Sequence, residues 1–404
     1  MTGNRSLRQL TVSNFLSYGE GKPLDLLPLN VMIGPNASGK SNLIEALAVL
    51  RGAAGDLAAT FREGGGVGEY VRKNADPANA FRIFVEVADY SSFWGEQSGV
   101  DYELVVAEIN QRGRISHEEI RDTDREFGEG VKFDRQTYYS NHDGKAVLRV
   151  EPSAGGNAIT RRIRSEDFSF EQSILSQRRD PELYPALTLL GDLFRNIAIF
   201  REWTFGARTK ARAPQATDLP TDFLLADSSN LALVLHELTQ RSATRKRLIE
   251  YLRRFYAAAE HISTRIHGGT VQLFIEEGGD VLVPATRLSD GTLRYLSLLT
   301  ILCHPTPPPV ICIEEPELGL HPDILPTIAE LLKDASQRTQ LVITTHSDAL
   351  VSALSDTPEA IVVCEPSSDG TQLRRLDRES LAEWLDRYSL GEIWRMGEIG
   401  GTRW

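Results

Sequence analysis

Residues 34–41 read Gly-Pro-Asn-Ala-Ser-Gly-Lys-Ser, preceded by the apolar run Val31-Met32-Ile33 and followed by the helix-like stretch Leu43-Ile44-Glu45-Ala46-Leu47. A G-x-x-x-x-G-K-[ST] spacing between a strand and a helix is the pattern of a loop that wraps a phosphate, and it predicts an α/β chain. Gly34 and Gly39 let the backbone curl around the anion, with Pro35, Asn36, Ala37 and Ser38 completing the loop. Lys40 supplies a cation for the β- and γ-phosphates, and Ser41 a hydroxyl for Mg²⁺, with Asn42 beside it at the start of the helix. A nucleoside triphosphate with Mg²⁺ is the ligand this pattern expects.

A second cluster lies far downstream. The apolar run Val310-Ile311-Cys312-Ile313 ends in Glu314-Glu315, where a phosphate-loop fold places a metal-side acid and a base that polarises water. Glu314 is therefore expected in the Mg²⁺ shell and Glu315 at the attacking water, while Glu317 reads equally well as a third functional carboxylate or a surface group. Between the clusters, Leu288-Ser289-Asp290-Gly291-Thr292 opens an apolar helix and by itself is a helix cap. The run Gln340 to Thr344 reads as a strand leading into Thr345-His346-Ser347. A lone histidine there is more often structural, yet this one falls where a central sheet presents residues to the γ-phosphate.

Length and composition bound the rest. At 404 residues, with 41% hydrophobic and 25% charged residues, the chain is an ordinary globular protein too long for one core. A net charge of −12 argues against general coating of nucleic acid. Cys303, Cys312 and Cys364 stand singly and read as buried reduced thiols. No run approaches 18 apolar residues and no signal core opens the chain, so a cytoplasmic protein without a membrane partner is expected.

Taken in order, the loop 34–41, the turn 288–292, Glu314–Glu315 and His346 resemble the ATP-binding-cassette type of ATPase head. More narrowly they are similar to the RecF/SMC/OLD-like branch of AAA family ATPases. The resemblance implies ATP and Mg²⁺ as cofactors and a mixed sheet flanked by helices with an inserted, largely helical subdomain. It makes Ser289, Asp290 and Gly291 a signature that binds the γ-phosphate held by the opposite subunit of a homodimer. Glu315 and His346 become the catalytic base and the switch histidine, residues 318–321 take the D-loop position, and Gln177 is the candidate Q-loop glutamine and metal ligand. Glu314 replaces the usual aspartate, and the signature reads Ser-Asp-Gly instead of Ser-Gly-Gly.

The expected division is an N-terminal lobe over 1–150, the mainly helical insert over 151–280, and a C-terminal lobe over 281–404. Strands are predicted at 7–12, 26–33, 81–89, 102–109 and 146–150, the last after a turn at 141–144, and helices from about 181 onward. No heptad pattern persists, which excludes a long coiled-coil arm. Residues 160–254 carry 16 Lys/Arg against 12 Asp/Glu. If those cations share a face, DNA is a partner. Only 58 residues follow His346, too few for the nuclease domain of OLD-type enzymes. The tail Trp394–Trp404 looks exposed and ready to dock on its own head or on a partner. These features predict an ATP-driven switch that signals to a separately encoded effector such as a nuclease, or to DNA, by analogy with stand-alone ATPases of anti-phage defence. Direct mediation of DNA repair, as in RecF-like proteins, is the alternative, and a transporter ATPase fits the layout less well.

Overall fold

A computed structural model describes residues 6–73, 79–88, 99–123, 136–151, 158–164, 166, 168–204 and 206–401. Its central sheet has the strand order Ile197–Phe200, Val310–Glu314, Gln340–Thr344, Leu29–Ile33, Ile361–Glu365, Gln372–Arg375. The first five strands are parallel and the last is antiparallel. Parallel strands covered on both faces should be apolar without interruption, and Leu29–Ile33 and Gln340–Thr344 are buried throughout. Alternate side chains nevertheless serve different cores. Val31, Ile33, Ile311, Ile313, Leu341 and Ile343 join the core built with the helices Leu231–Gln240, Ser242–Phe255, Asp290–Leu302 and Leu325–Ala335. Met32, Cys312, Val342 and Val362 turn to the other face, toward the helix Lys40–Ala53.

An eight-stranded antiparallel sheet packs on that second core, in the order Leu24–Asp25, Leu7–Ser13, Ala80–Val87, Val100–Ile109, Arg112–Asp122, Thr137–His142, Lys145–Val150, Ile159–Arg162. In Ala80–Val87 burial alternates residue by residue, the sign of a sheet with one dry face. The expected end of this strand at Asp89 lies outside the described residues. Two tight hairpins use residues at positive φ, Asn110-Gln111 (53° and 63°) and Asp143-Gly144 (47° and 86°). A smaller sheet pairs Thr270–Glu277 with Ala259–His267, Gln215–Ala216 and Val281–Pro284.

The stretch 151–280 holds the expected helices, but its strands are woven into the rest: Ile159–Arg162 extends the antiparallel sheet and Ile197–Phe200 forms one side of the central sheet. Ile159–Arg162 continues the meander begun by Lys145–Val150, whereas Ile197–Phe200 bonds to Val310–Glu314 more than a hundred residues away, a pairing that a local helical pattern does not reveal. The tail docks on its own head, one of the two places expected for it. Helix Leu390–Met396, opened by a Ser389–Glu392 capping box, buries Leu390, Ile393 and Trp394 against the head. Trp394 Nε1 donates to Gly401 O at 3.2 Å, and Gly401 N to Glu365 Oε1 at 3.0 Å. Residues 402–404 lie outside the described residues. All three cysteines are buried and free, and among the described residues no helix is long and apolar enough to cross a membrane.

Candidate nucleotide and metal site

The parallel strands end at one edge of the central sheet, and the loop 34–41 leaves from that edge. Three of its residues adopt positive φ: Gly34 (147°), Ala37 (62°) and Gly39 (95°). A Cβ on Gly34 would stand 2.3 Å from the Cys364 carbonyl oxygen, and one on Gly39 would stand 2.4 Å from Thr371 Oγ1. Only glycine fits either place. The helix Lys40–Ala53 begins at Gly39 with no side-chain cap and no acidic residue in its first turn. Its N-terminal dipole thus faces the loop without an internal anion to oppose it, as a phosphate site requires. Lys40 is almost buried and donates from Nζ to Gly34 O at 2.9 Å and Pro35 O at 2.8 Å, folded over the loop.

Neighbouring segments brace this cradle. Tyr18 OH donates to Gly39 O at 3.0 Å, and Thr371 Oγ1 to Ser38 O at 3.0 Å. Asn42 Nδ2 donates to Ser17 Oγ at 2.7 Å, which in turn is 2.7 Å from Thr371 Oγ1. The Asn42 side chain is thereby a strut of the loop wall. The glycine-lined cradle, its cation and the unopposed helix terminus together fit a triphosphate.

Ser41 and Glu314, two of the residues expected on the metal side, lie side by side. Ser41 Oγ donates to Glu314 Oε2 at 3.1 Å, a hydroxyl and a carboxylate suited to an oxygen-liganded Mg²⁺. Burial raises the Glu314 carboxyl above its ordinary range, while the Ser41 hydrogen bond and the Arg201 guanidinium pull it back. One residue on, Glu315 takes φ 47°, a left-handed backbone, and its N–H donates to Thr344 O at 2.9 Å. His346 Nε2 lies 3.8 Å from Glu315 Oε1. Glu317 Oε1 accepts from Thr345 Oγ1 at 2.6 Å and from the His346 N–H at 2.9 Å. Glu317 therefore anchors the strand end that carries the histidine.

The signature turn sits against other parts of the head. Ser289 caps the helix Asp290–Leu302, its Oγ accepting from Thr292 N at 3.0 Å. Asp290 accepts from Gly206 N at 2.9 Å and pairs with Arg212 at 2.5 Å. At Gly291 a Cβ would come within 3.1 Å of Gly319 O, so the turn lies against the 318–321 segment.

The family model described as "AAA domain, putative AbiEii toxin, Type IV TA system" matches residues 29–352, which span both the phosphate loop and His346. The chain belongs to this family. Among solved structures, an SMC head bound to the C-winged helix domain of ScpA is similar with a TM-score of 0.54, at 15% identity over 94% of this chain and 99% of that one. The SMC head with an extended coiled coil bound to the C-terminal domain of ScpA from Pyrococcus furiosus is similar with a TM-score of 0.54, at 14% identity over 94% and 98%. At such identity the likeness speaks to fold alone: this AAA domain has the fold of an SMC-type ATPase head. No curated protein sequence matches the chain significantly.

In this AAA domain Gln177 is not brought to the metal side, which corrects the expectation of a ligand there. Its Nε2 donates to Ser169 O at 2.9 Å and Gln172 O at 2.8 Å, and its Oε1 accepts from Ser169 N at 2.8 Å, so the amide ties its own loop together. The charged group that does stand beside Glu314 is Arg201, which sequence reasoning missed. Phe200 pairs with Ile313 in the parallel ladder, so the next residue on each strand, Arg201 and Glu314, emerge side by side. Arg201 also pairs with Glu45, whose other oxygen accepts from Tyr70 OH at 3.0 Å. Its one local signal is a charge immediately after the apolar run Ile197–Phe200. Trp203 and Arg294 were missed as well: Trp203 Nε1 donates to Glu314 O at 3.0 Å, and Arg294 donates to Glu315 O.

Proposed function

We propose that the chain is a soluble, cytoplasmic ATPase switch that dimerises head-to-tail around two ATP molecules and hydrolyses them slowly. The 3.1 Å contact between Ser41 and Glu314, with Glu315 and His346 at the next strand ends, is the observation that carries this reading. In it, the phosphate loop, Lys40, Ser41 and Glu314 hold the nucleotide and Mg²⁺, Glu315 activates water, and Ser289, Asp290 and Gly291 reach the partner's γ-phosphate. The output passes to a separately encoded effector that docks on the head, as ScpA does on the SMC head. A setting in anti-phage defence accords with the toxin–antitoxin wording attached to the family.

Direct action on DNA, the second reading, draws on the basic residues between 160 and 254. Several of these are spent internally: Arg179 on Asp192, Lys210 on Asp227, Arg212 on Asp290, Arg247 on Asp334, Arg254 on Glu330. That supports the effector reading. Hydrolysis measured for the wild type and Glu315→Gln at matched ATP occupancy tests the switch, and equal rates in the two would reject it. DNA affinity that falls steeply with salt would favour the second reading instead.

A further inference from the structure

The backbone carbonyls of the two adjacent acids are each held by a side chain from elsewhere in the chain, and those two side chains stack on one another. Trp203 donates from Nε1 to the Glu314 carbonyl at 3.0 Å, and Arg294 donates to the Glu315 carbonyl. The Arg294 guanidinium lies over the Trp203 ring at 4.3 Å from its centroid. Arg294 is buried, with 4% of its surface exposed. Burial pushes its guanidinium down to about 10 while Glu317 and Glu315 oppose that shift, so it remains a cation at neutral pH. Trp203 is fixed from behind by stacking on Phe200 at 6.2 Å.

Arg294 belongs to the first turns of the helix that Ser289 opens. One rigid element therefore carries the signature turn at its tip and the hydrogen bond to Glu315 slightly further along. The segment after Arg201 adds a second connection, since Trp203 holds Glu314 while Gly206 and Arg212 hold Asp290. Glu315 needs such support. Its left-handed backbone is one that side-chain-bearing residues rarely keep unless their surroundings enforce it, and the Arg294 bond constrains the carbonyl whose position depends on that conformation.

We propose that Arg294 and Trp203 form a positioning clamp through which the signature helix of each head sets the orientation of that head's own Glu314 and Glu315. This rests on the ATPase reading given above. The clamp acts on the backbone that carries the carboxylates. Displacement of the helix by the partner's ATP then moves the Glu315 carbonyl through Arg294, and the two composite sites of a dimer become coupled within each chain.

The test uses Arg294→Gln, Arg294→Lys, Trp203→Phe and the double variant Arg294→Gln/Trp203→Phe in the full chain. Arg294→Gln should lower kcat by roughly tenfold or more with KM for ATP unchanged, as expected when a reacting group is misplaced while binding is intact. Arg294→Lys, which keeps a donor and a charge, should recover part of the loss. The double variant should lose less than the product of the two single losses, because the side chains act as a unit. Amide hydrogen exchange across 315–318, measured without nucleotide, should accelerate in Arg294→Gln. Unchanged exchange there, or wild-type kcat in variants that melt like wild type, overturns the clamp. Should Arg294→Gln melt early, Trp203→Phe carries the same comparison, since phenylalanine keeps an aromatic ring under Arg294 and removes the donor to Glu314. A wild type without ATPase activity would instead count against the ATPase reading, and the exchange result would still decide the clamp.

Discussion

Nε of Arg201, the residue just past the strand Ile197–Phe200, lies 3.6 Å from Oε1 of Glu314 at the end of the adjacent parallel strand. The same guanidinium pairs with Glu45, so a fixed cation stands among two half-buried carboxylates at the end of the site where Mg²⁺ is expected. A divalent ion entering there gains from Glu314 but meets the arginine's charge. Arg201→Met removes the charge and keeps the apolar stem. At about 4 Å and an effective dielectric near 20, one charge matters by several kcal/mol before screening, so nucleotide-free Mg²⁺ affinity should rise by about tenfold. Calorimetric Mg²⁺ titration of the two proteins checks this. Equal affinities would make Arg201 a structural pin only.

Lys40→Ala removes the loop's side-chain cation while leaving the glycines and the helix terminus in place. A charge-assisted hydrogen bond to phosphate is worth about 1.5–3 kcal/mol, so ATP affinity should fall by roughly a hundredfold. The lysine also bonds two loop carbonyls, so the empty loop should become more mobile in the variant. Matching ATP affinities by calorimetry would remove the phosphate loop from the nucleotide reading.

What the sequence made legible follows the reach of each signal. The phosphate loop, the strand ending in Glu314 and Glu315 and the strand before His346 are written in contiguous residues, and they were readable as elements. Arg201 was not, because its place depends on Phe200 pairing with Ile313, more than a hundred residues away. Trp203 and Arg294 act through backbone carbonyls, which carry no side-chain signature. Gln177 entered only through the resemblance to a Q-loop, and whether the amide of this last residue of the helix Ile174–Gln177 faces a metal or clasps its own loop depends on the positions of Ser169 and Gln172. Trp394 is an aromatic near the end of the chain that was expected to dock on its own head or on a partner, and the capping box at Ser389 and Glu392 starts the helix that buries it on its own head.

Glu118 predicts a pH dependence away from the nucleotide. It is fully buried, accepts from Tyr102 OH at 2.9 Å and from Ile174 N at 3.1 Å, and bonds Ser173 Oγ. Burial pushes its carboxyl up to about 7, with the three hydrogen bonds resisting. A carboxyl whose folded value is raised binds its proton more tightly when folded. Its contribution is therefore full below the unfolded value, near 4.5, and is lost as pH rises through about 7. A shift of this size corresponds to on the order of 3 kcal/mol. Wild type should lose melting temperature relative to Glu118→Gln between pH 5 and pH 8. A difference that stays constant over that window would show that Glu118 does not titrate there.

The dimer offers the sharpest test of the switch. Ser289 and Asp290 make their contacts with Thr292, Gly206 and Arg212 of their own chain, and the turn they form borders Gly319. In the proposed sandwich, a second head brings its ATP to this turn. Glu315→Gln leaves ATP binding intact but cannot activate water, so the complex should outlast that of the wild type. Sedimentation with ATP and Mg²⁺ should show a persistent dimer for Glu315→Gln and monomers when nucleotide is omitted, because binding energy that exists only in the dimer shifts the equilibrium by mass action. Adding Ser289→Arg places a long cation where the partner's phosphate would approach and removes the helix cap, at a cost of about 1 kcal/mol that a melting curve would register separately. The doubly substituted chain should sediment as a monomer while still binding ATP in its own phosphate loop. Dimerisation as strong as in Glu315→Gln alone would mean that the subunits meet through some other surface, and the head-to-tail arrangement would have to be abandoned.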